Sequence, residues 1–418
     1  MNKEDIGDAK ERMKAWWDHE KTDRPVFGYT YTLKEGLPGY HPMVDWTLGK
    51  NFDAFEQSVD NFERGSSNIY FGGESIPYYF ANHGAGIMAA VFGIKPVFDH
   101  GTVWMVERME LGQMVDILEN AKLDNNNEWY VRLKKCTEYA AKRLKDKCQV
   151  AMTDLGGILD ILCSFIGPEK MIVALKRNPS TIDTCRAIIL EKTMQVYDEL
   201  QKIIEGYGHD GCDSWMNIWS QKHWYPIQCD ISAMMSPKYF RRFVLPDLIE
   251  QAEHMDYCFY HLDGPEQLIH LDDIMSQPSI TGIQWVPGMK PGMPQEWDDH
   301  WFPLYKRIQK AGKNTIFYSP RHLVEHIYKN LDHKGLLVRT IYRNKEYKEI
   351  YLPNFMEKGR DGGRIIQEII NLSMKKSKKT LTENDFKNIL SENGINVGDL
   401  NKNIVLAEVN KILKKKSS

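Results

Sequence analysis

The sequence lacks the patterns that mark several large classes of protein. Its seven cysteines include no CxxC pair, so a disulfide framework is not indicated and we expect reduced thiols. The first residues, MNKEDIGDAKERMKAWW, contain no apolar core like that of a signal peptide, and no run approaches the roughly 18 apolar residues of a membrane helix. The formal net charge of −3 argues against a nucleic-acid-binding protein. We therefore expect a cytoplasmic protein that binds neither membranes nor nucleic acids.

A dinucleotide-binding glycine pattern is also missing. No GxGxxG begins a helix after a strand, and the nearest match, GAGIMA (84–89), ends in alanine and follows the polar ANH. The chain of 418 residues, 42% of them hydrophobic, is long enough for one large α/β domain with additions or for two or three smaller domains.

Strand-like and helix-like segments alternate through the second half of the chain. Such alternation predicts a parallel sheet, and polar or aromatic residues follow several of its apolar runs. We predict an α/β fold, a (β/α)8 TIM barrel with an N-terminal helical extension over residues 1–352, followed by a helical C-terminal appendage at 353–418. Predicted strands cover 25–31, 68–73, 149–157, 211–219, 257–262, 280–286, 314–318 and 335–342. Helices are predicted at 5–20, 158–177, 181–206 and 237–256, among others.

The stretch YHLDGP (260–265) places an imidazole and a carboxylate two positions apart at the end of a predicted strand. Residues so spaced point to the same side of a strand, so His261 and Asp263 should face the barrel opening together. Three interpretations stay open. Asp263 caps the next helix while His261 bonds a neighbour, or the two bind and protonate a substrate, or they bind a metal ion.

Other strand ends supply further candidates, each of which can also be read as ordinary core or as a paired group. Glu74, after two glycines, is a candidate catalytic carboxylate. Aromatic side chains clustered at strand ends would suit a quaternary ammonium or methoxy-aromatic group. The predicted substrate-binding residues are Trp215, Trp219, Trp285, Tyr318, Asp230 and Arg339.

Several separated motifs resemble those of the uroporphyrinogen decarboxylase superfamily. They are YHLDGP, GIQWVPG (282–288), GGESIPYYFANHGAGIMAAVFG (72–93) and the IQCD of 227–230 with its following Ser-Pro helix start. The resemblance covers about residues 25–345 and implies a (β/α)8 barrel. It also implies either a cofactor-free decarboxylase or a methyltransferase that exchanges methyl groups with corrinoid proteins. The chain is most similar to the branch from corrinoid-dependent anaerobes, which belongs to one-carbon metabolism.

The chain departs from both well-known enzyme types. The decarboxylases carry an arginine-rich loop after the first strand, whereas VFGYTYTLKEGLPGY (26–40) contains no arginine to pair with substrate carboxylates. The zinc-dependent methyltransferases have His-x-Cys where this chain has His261–Leu262–Asp263, and no cysteine follows Cys258. A zinc site here would have to combine His261 and Asp263 with a residue such as Cys229.

The resemblance therefore implies a methyltransferase that acts on a small molecule. The chain has no DxHxxG motif for a corrinoid, so a separate corrinoid protein is the expected partner, and a homodimer is compatible with this interpretation. Two alternatives stay open: a cofactor-free lyase that decarboxylates a small acid, and a non-catalytic barrel that binds a small molecule.

Overall fold

A computed structural model describes residues 3, 5–33, 52–99, 102–106, 108–288 and 291–342, together with shorter pieces between 369 and 414. The strands are β1 Val26–Thr32, β2 Ile69–Gly73, β3 Tyr78–Phe80, β4 Val97–Asp99, β5 Thr102–Trp104, β6 Gln149–Ala151, β7 Trp224–Ile227, β8 Tyr257–Asp263, β9 Gly282–Val286, β10 Asn314–Tyr318 and β11 Leu336–Tyr342.

The helices are α1 Ile6–Trp17, α2 Phe52–Ser66, α3 Ile87–Val91, α4 Leu111–Asn120, α5 Glu128–Arg143, α6 Ile158–Ile166, α7 Pro168–Arg177, α8 Pro179–Gly206, α9 Pro237–Phe243, α10 Leu245–Glu253, α11 Leu271–Met275, α12 Phe302–Lys310, α13 Val324–Asn330 and α14 Glu383–Glu392. No helix among the described residues combines the length and apolar character needed to cross a membrane.

The central sheet has seven strands in the order β2-β1-β11-β10-β9-β8-β7. Six of them are parallel to one another, and only β2 runs antiparallel to its neighbour β1. Strands β3 and β6 form a separate parallel pair, and β4 and β5 form a separate antiparallel pair. The predicted mixed α/β class with a parallel central sheet is confirmed.

Both faces of the central sheet are covered, and helix α1 covers one of them. Its buried side chains Ala9, Met13, Trp16 and Trp17 follow helical spacing and form the apolar stripe of an amphipathic helix. Trp17 stacks on Tyr257 with ring centroids 4.8 Å apart, at the start of β8. We call this side of the sheet the α1 face; its apolar cluster also contains Val26, Trp224, Phe259, Ile316 and Leu337. The alternate residues of the same strands pack into the larger core against the other helices.

Glycine and proline divide two helices that the sequence pattern predicted as continuous. The segment 158–177 breaks at Gly167, which has φ +83 and is followed by a proline at the first position of α7. The segment 237–256 breaks between α9 and α10, where Pro246 lacks the amide hydrogen that would continue the helical bonding.

The predicted strand at 211–219 is wrong. That segment forms a single antiparallel bridge between Cys212 and Ser220, and the strand that joins the sheet is β7, a few residues later.

The described part of the C-terminal region has an apolar cluster of its own. It includes Phe386, Ile389 and Leu390 of α14 with Val409 and Leu413. Most of the predicted helical appendage at 353–418 lies outside the described residues.

Candidate functional site

Three potential metal ligands meet at the carboxyl ends of β7 and β8. Asp230, His261 and Asp263 each offer one ligand atom, and these atoms lie within 4.8 Å of one another. His261 and Asp263 are half-buried, whereas Asp230 is exposed. Phe259, two residues before His261, belongs to the α1-face cluster, so the alternation of β8 directs His261 and Asp263 to that face. We call these three residues the acidic-histidine cluster.

Gln284 fixes one nitrogen of the histidine. Its side-chain oxygen lies 2.8 Å from Nδ1 of His261, and the two residues are register partners on β9 and β8. With Nδ1 protonated and donating to this oxygen, the lone pair of Nε2 is free for a metal ion or a proton. No described group hydrogen-bonds to the carboxylate of Asp263, and the following 3₁₀ turn begins with Gly264 as its N-cap without a side-chain bond. The helix-capping interpretation of Asp263 is therefore not supported.

Two further carboxylates surround the cluster. Asp160, in the first turn of α6, accepts hydrogen bonds from the backbone amides of Asp230 and Ile231 at 2.9 and 3.0 Å. Asp154, after β6, accepts a bond of 2.9 Å from the amide of Gly156. A side chain at Gly157 would place its Cβ 2.3 Å from Asp160 and 2.4 Å from the carbonyl oxygen of Gln228, so this glycine allows α6 to approach β7.

The concentration of negative charge perturbs these acids. Enclosure by protein atoms, followed by the charges of Asp160, Asp263 and Asp154, raises the pKa of Asp230 to about 8, although its side chain still contacts solvent. Burial also raises the pKa of Asp154 and of Asp160, and the charge of His261 opposes the rise in both. Such a group of acids around one imidazole attracts a cation.

Two of the predicted aromatic residues flank this face. The indole of Trp215 packs edge-on against the ring of His261, with centroids 5.1 Å apart. Tyr318 ends β10, and Ile316, two residues earlier, belongs to the α1-face cluster, so the alternation directs Tyr318 to the same face. Arg339 is its register partner on β11 and is buried.

The structure does not bring Glu74 or Trp219 to the cluster. Since β2 runs antiparallel, its carboxyl end lies beside the amino end of β1, opposite to the end that carries His261. There Glu74 accepts two hydrogen bonds from Arg24, at 2.8 and 2.9 Å, and one from the amide of Phe27. Trp219 is buried beside α1, where its carbonyl oxygen accepts a bond from Trp17.

Trp285 and Cys229 also lie outside the cluster. Trp285 belongs to the core on the face opposite α1, where it packs against Trp301 with centroids 4.8 Å apart. Cys229 is buried, and burial raises the pKa of its thiol well above the ordinary value, which disfavours the thiolate that a metal ion would need. Asp230, its neighbour, joins His261 and Asp263 instead.

The donor set fits a divalent cation. One imidazole nitrogen and two carboxylates are ligands that zinc accepts, and the second nitrogen of the histidine is already held by Gln284. The set contains no thiolate, so it does not reproduce the His/Cys/Cys site of the zinc methyltransferases.

Comparison with known proteins shows the fold and leaves the family open. No family model matches the chain, and no curated protein matches its sequence. A solved structure, a methyltransferase from Methanosarcina mazei, shares the fold with a TM-score of 0.52 at 10% identity. The match covers 79% of this chain and 92% of that chain. At such low identity the likeness shows a common fold alone.

Proposed function

We propose that this protein is a methyltransferase that moves a methyl group between a small methylated compound, or a methyl-corrinoid, and an acceptor. The proposal rests on the meeting of Asp230, His261 and Asp263 within 4.8 Å at the ends of adjacent parallel strands. In the superfamily that the sequence motifs resemble, the methyltransferases hold zinc at this strand end. A fold shared with a methyltransferase supports the same function. We further propose that the parallel strands belong to one closed (β/α)8 barrel and that a separate corrinoid protein docks at its opening.

The acidic-histidine cluster would hold one divalent cation, with zinc as the first candidate. A bound zinc ion lowers the pKa of a coordinated thiol or water and so favours the nucleophilic form of an acceptor. Gln284 would keep the proton of His261 on Nδ1, and Trp215 would exclude water from one side of the ring. Asp154 and Asp160 would add negative charge that favours cation binding.

Metal binding is testable independently of any reaction. After removal of metals with a chelator and reloading with Zn²⁺, elemental analysis should find about one ion per chain, because the cluster is one site. His261→Ala and Asp263→Ala should each weaken zinc binding by more than about 100-fold, since even the loss of an outer partner costs 10–100-fold. The exposed pair His326 and Asp299, 2.8 Å apart, provides matched controls, and His326→Ala should bind zinc normally. Equal zinc content in wild type and in the doubly substituted cluster would contradict the site.

Methyl transfer can be followed with free methylcobalamin. With thiols or tetrahydrofolate as acceptors, wild-type protein should accelerate the loss of the cobalt–methyl absorbance, and the methylated acceptor should form in equal amount. His261→Ala and Asp263→Ala should each reduce the rate by roughly 100-fold, the scale of a lost acid–base or ligand group, while His326→Ala should not. Near-normal transfer by both cluster variants would place the chemistry elsewhere.

A second candidate is the decarboxylation of a small acid without a metal. The raised pKa of Asp230, about 8, favours this candidate because the carboxyl group would be protonated at neutral pH. Loss of CO₂ leaves a carbanion, and Asp230 or His261 would supply the proton that replaces the carboxylate. Release of CO₂ from small acids by chelator-treated protein, lost in Asp230→Asn, would favour this reaction over methyl transfer.

A further inference from the structure

Arg339 is a buried cation with no hydrogen-bond partner in the part of the chain that the structure describes. Its side chain is 2% exposed, and Nε, Nη1 and Nη2 all lack an acceptor among the described residues. The other buried arginines of the described chain are paired: Arg24 binds Glu74 through two bonds, and Arg186 binds Asp247 in the same way. A guanidinium cannot lose its charge in a protein, so an unpaired one in the interior is unfavourable unless an anion completes the site.

The strand alternation places Arg339 on the α1 face. Leu337, two residues earlier, belongs to the α1-face cluster, whereas Leu336 and Val338 belong to the core on the other side. The register partner on β1 is Gly28, and a Cβ there would lie 3.5 Å from Cγ of Arg339. Arg339 therefore faces the same side of the sheet as His261 and Asp263, beyond the part that α1 covers.

Asp213 is a second buried charged group, and the charge of Arg339 acts on its carboxylate. It is fully buried, and its Oδ1 accepts a bond of 2.7 Å from the amide of Ser214. The amide of Ile218 also favours the charged carboxylate, but no described donor meets normal hydrogen-bond geometry at Oδ2. Burial raises the pKa of Asp213 to about 7, and the charge of Arg339 acts in the opposite direction. Arg339 and Asp213 interact electrostatically but form no hydrogen bond with each other, so polar atoms of both side chains can bind a third group.

The same short segment connects this pair to the acidic-histidine cluster. Trp215, two residues after Asp213, packs against the ring of His261 at 5.1 Å. Two residues of extended chain span at most about 7 Å, so Asp213 lies on the same short segment that packs against His261.

We propose that Arg339 binds the carboxylate of the substrate and that Oδ2 of Asp213 accepts a hydrogen bond from an ammonium or hydroxyl group of the same molecule. The substrate class is then a small amino or hydroxy acid. A carboxylate matches the planar fork of a guanidinium through two parallel bonds, and the nearby Asp213 disfavours a dianion such as phosphate. The proposal rests on the proposed function only in assigning this molecule to the same site as His261.

The test compares ligand binding and stability in chelator-treated protein. Glycine, N-methylglycine and glycolate should raise the melting temperature of the wild type and give binding heats, whereas glycinamide and glycolamide should not. Arg339→Met, which keeps an unbranched stem and removes the charged guanidinium, should lose this binding entirely. Arg339→Lys should bind the acids at least about 10-fold more weakly, because lysine cannot form the two parallel bonds.

The unliganded proteins provide a second readout. Removing an unpaired buried charge should leave the melting temperature of Arg339→Met unchanged or higher, whereas Arg186→Met, which breaks a paired site, should lower it. The proposal would be overturned if the melting temperatures of Arg339→Met and Arg186→Met fell by the same amount. It would also be overturned if none of the acids stabilised the wild type more than the corresponding amide does. Zinc content separates the two hypotheses: Arg339→Met should keep wild-type zinc. If the cluster variants kept their zinc while the acids still bound through Arg339, only the proposed function would fail.

Discussion

Replacing Glu74 by alanine should destabilise the fold and leave the acidic-histidine cluster intact. The Glu74 side chain is fully buried, and its oxygens accept bonds of 2.8 and 2.9 Å from Arg24 and of 2.9 Å from the amide of Phe27. Removing one partner of a buried ion pair leaves the other charge unpaired, at a cost of about 3–5 kcal/mol in the free energy of unfolding. The double variant Arg24→Met, Glu74→Leu should recover most of this loss, because neither of these two charges is left behind. Arg12, whose Nη1 lies 3.4 Å from Glu74, keeps its pair with Asp23.

The matched control is a surface pair. Asp273 accepts two bonds from Arg241, at 2.8 and 2.9 Å, but the arginine side chain is 60% exposed. Asp273→Ala should therefore cost no more than about 1 kcal/mol. Urea unfolding followed by tryptophan fluorescence measures these differences, and elemental analysis of the folded proteins measures zinc. The structural role would be refuted if Glu74→Ala had the same free energy of unfolding as the wild type, with or without its zinc. Glu74 would then again be a functional candidate.

Three further predictions concern particular side chains. Burial lowers the pKa of His83 from 6.5 to about 4. The unfolded chain therefore binds the proton first as pH falls, and the stability present above pH 6.5, roughly 3 kcal/mol, should be lost toward pH 4. Urea unfolding at a series of pH values should show this loss in wild type and not in His83→Asn. Gln284→Leu should weaken zinc binding by 10–100-fold in a competition with a chelator, and Gln284→Glu should restore it, because His261 regains an acceptor. Gly157→Ala should lower both the melting temperature and zinc affinity, because its Cβ would lie 2.3 Å from the Asp160 carboxylate, and normal values for both would contradict the close packing.

The sequence was sufficient to locate strands that contain a short aromatic and apolar run. Predictions at 257–262 and 314–318 agree with β8 and β10 to within a residue, because a parallel strand buried on both faces is recognisable as a continuous apolar run. It failed for β7, whose WYPI contains a proline, a residue that normally argues against a central strand. The preceding segment 211–219 has the composition of a strand and instead folds back on itself through the bridge of Cys212 and Ser220.

The sequence pattern indicated that His261 and Asp263 share one side of a strand, and strand direction explains why the candidate Glu74 lies elsewhere. The common side of His261 and Asp263 is recognisable from the sequence, because the two polar residues are separated by one apolar residue at the end of β8. Glu74 follows a strand in the same manner, but an antiparallel strand ends at the opposite edge of the sheet, and no local residue pattern distinguishes the direction of β2. The sequence does not identify Asp160 as a neighbour of the cluster, because a carboxylate in the first turn is common to many helices.

Side chains alternate between the two faces of β9, which explains why Gln284 and not the predicted Trp285 contacts His261. When both faces of a strand are buried, hydrophobicity does not identify the face that points toward a site, and a large aromatic residue suits either face. The informative residue in GIQWV was the polar one, because a half-buried amide within an apolar strand requires a partner. That partner is His261, and the bond between them specifies both the face of β9 and the nitrogen of the histidine that stays free. The amide of Gln284 thus indicates which face of β9 points toward the acidic-histidine cluster better than the neighbouring indole does.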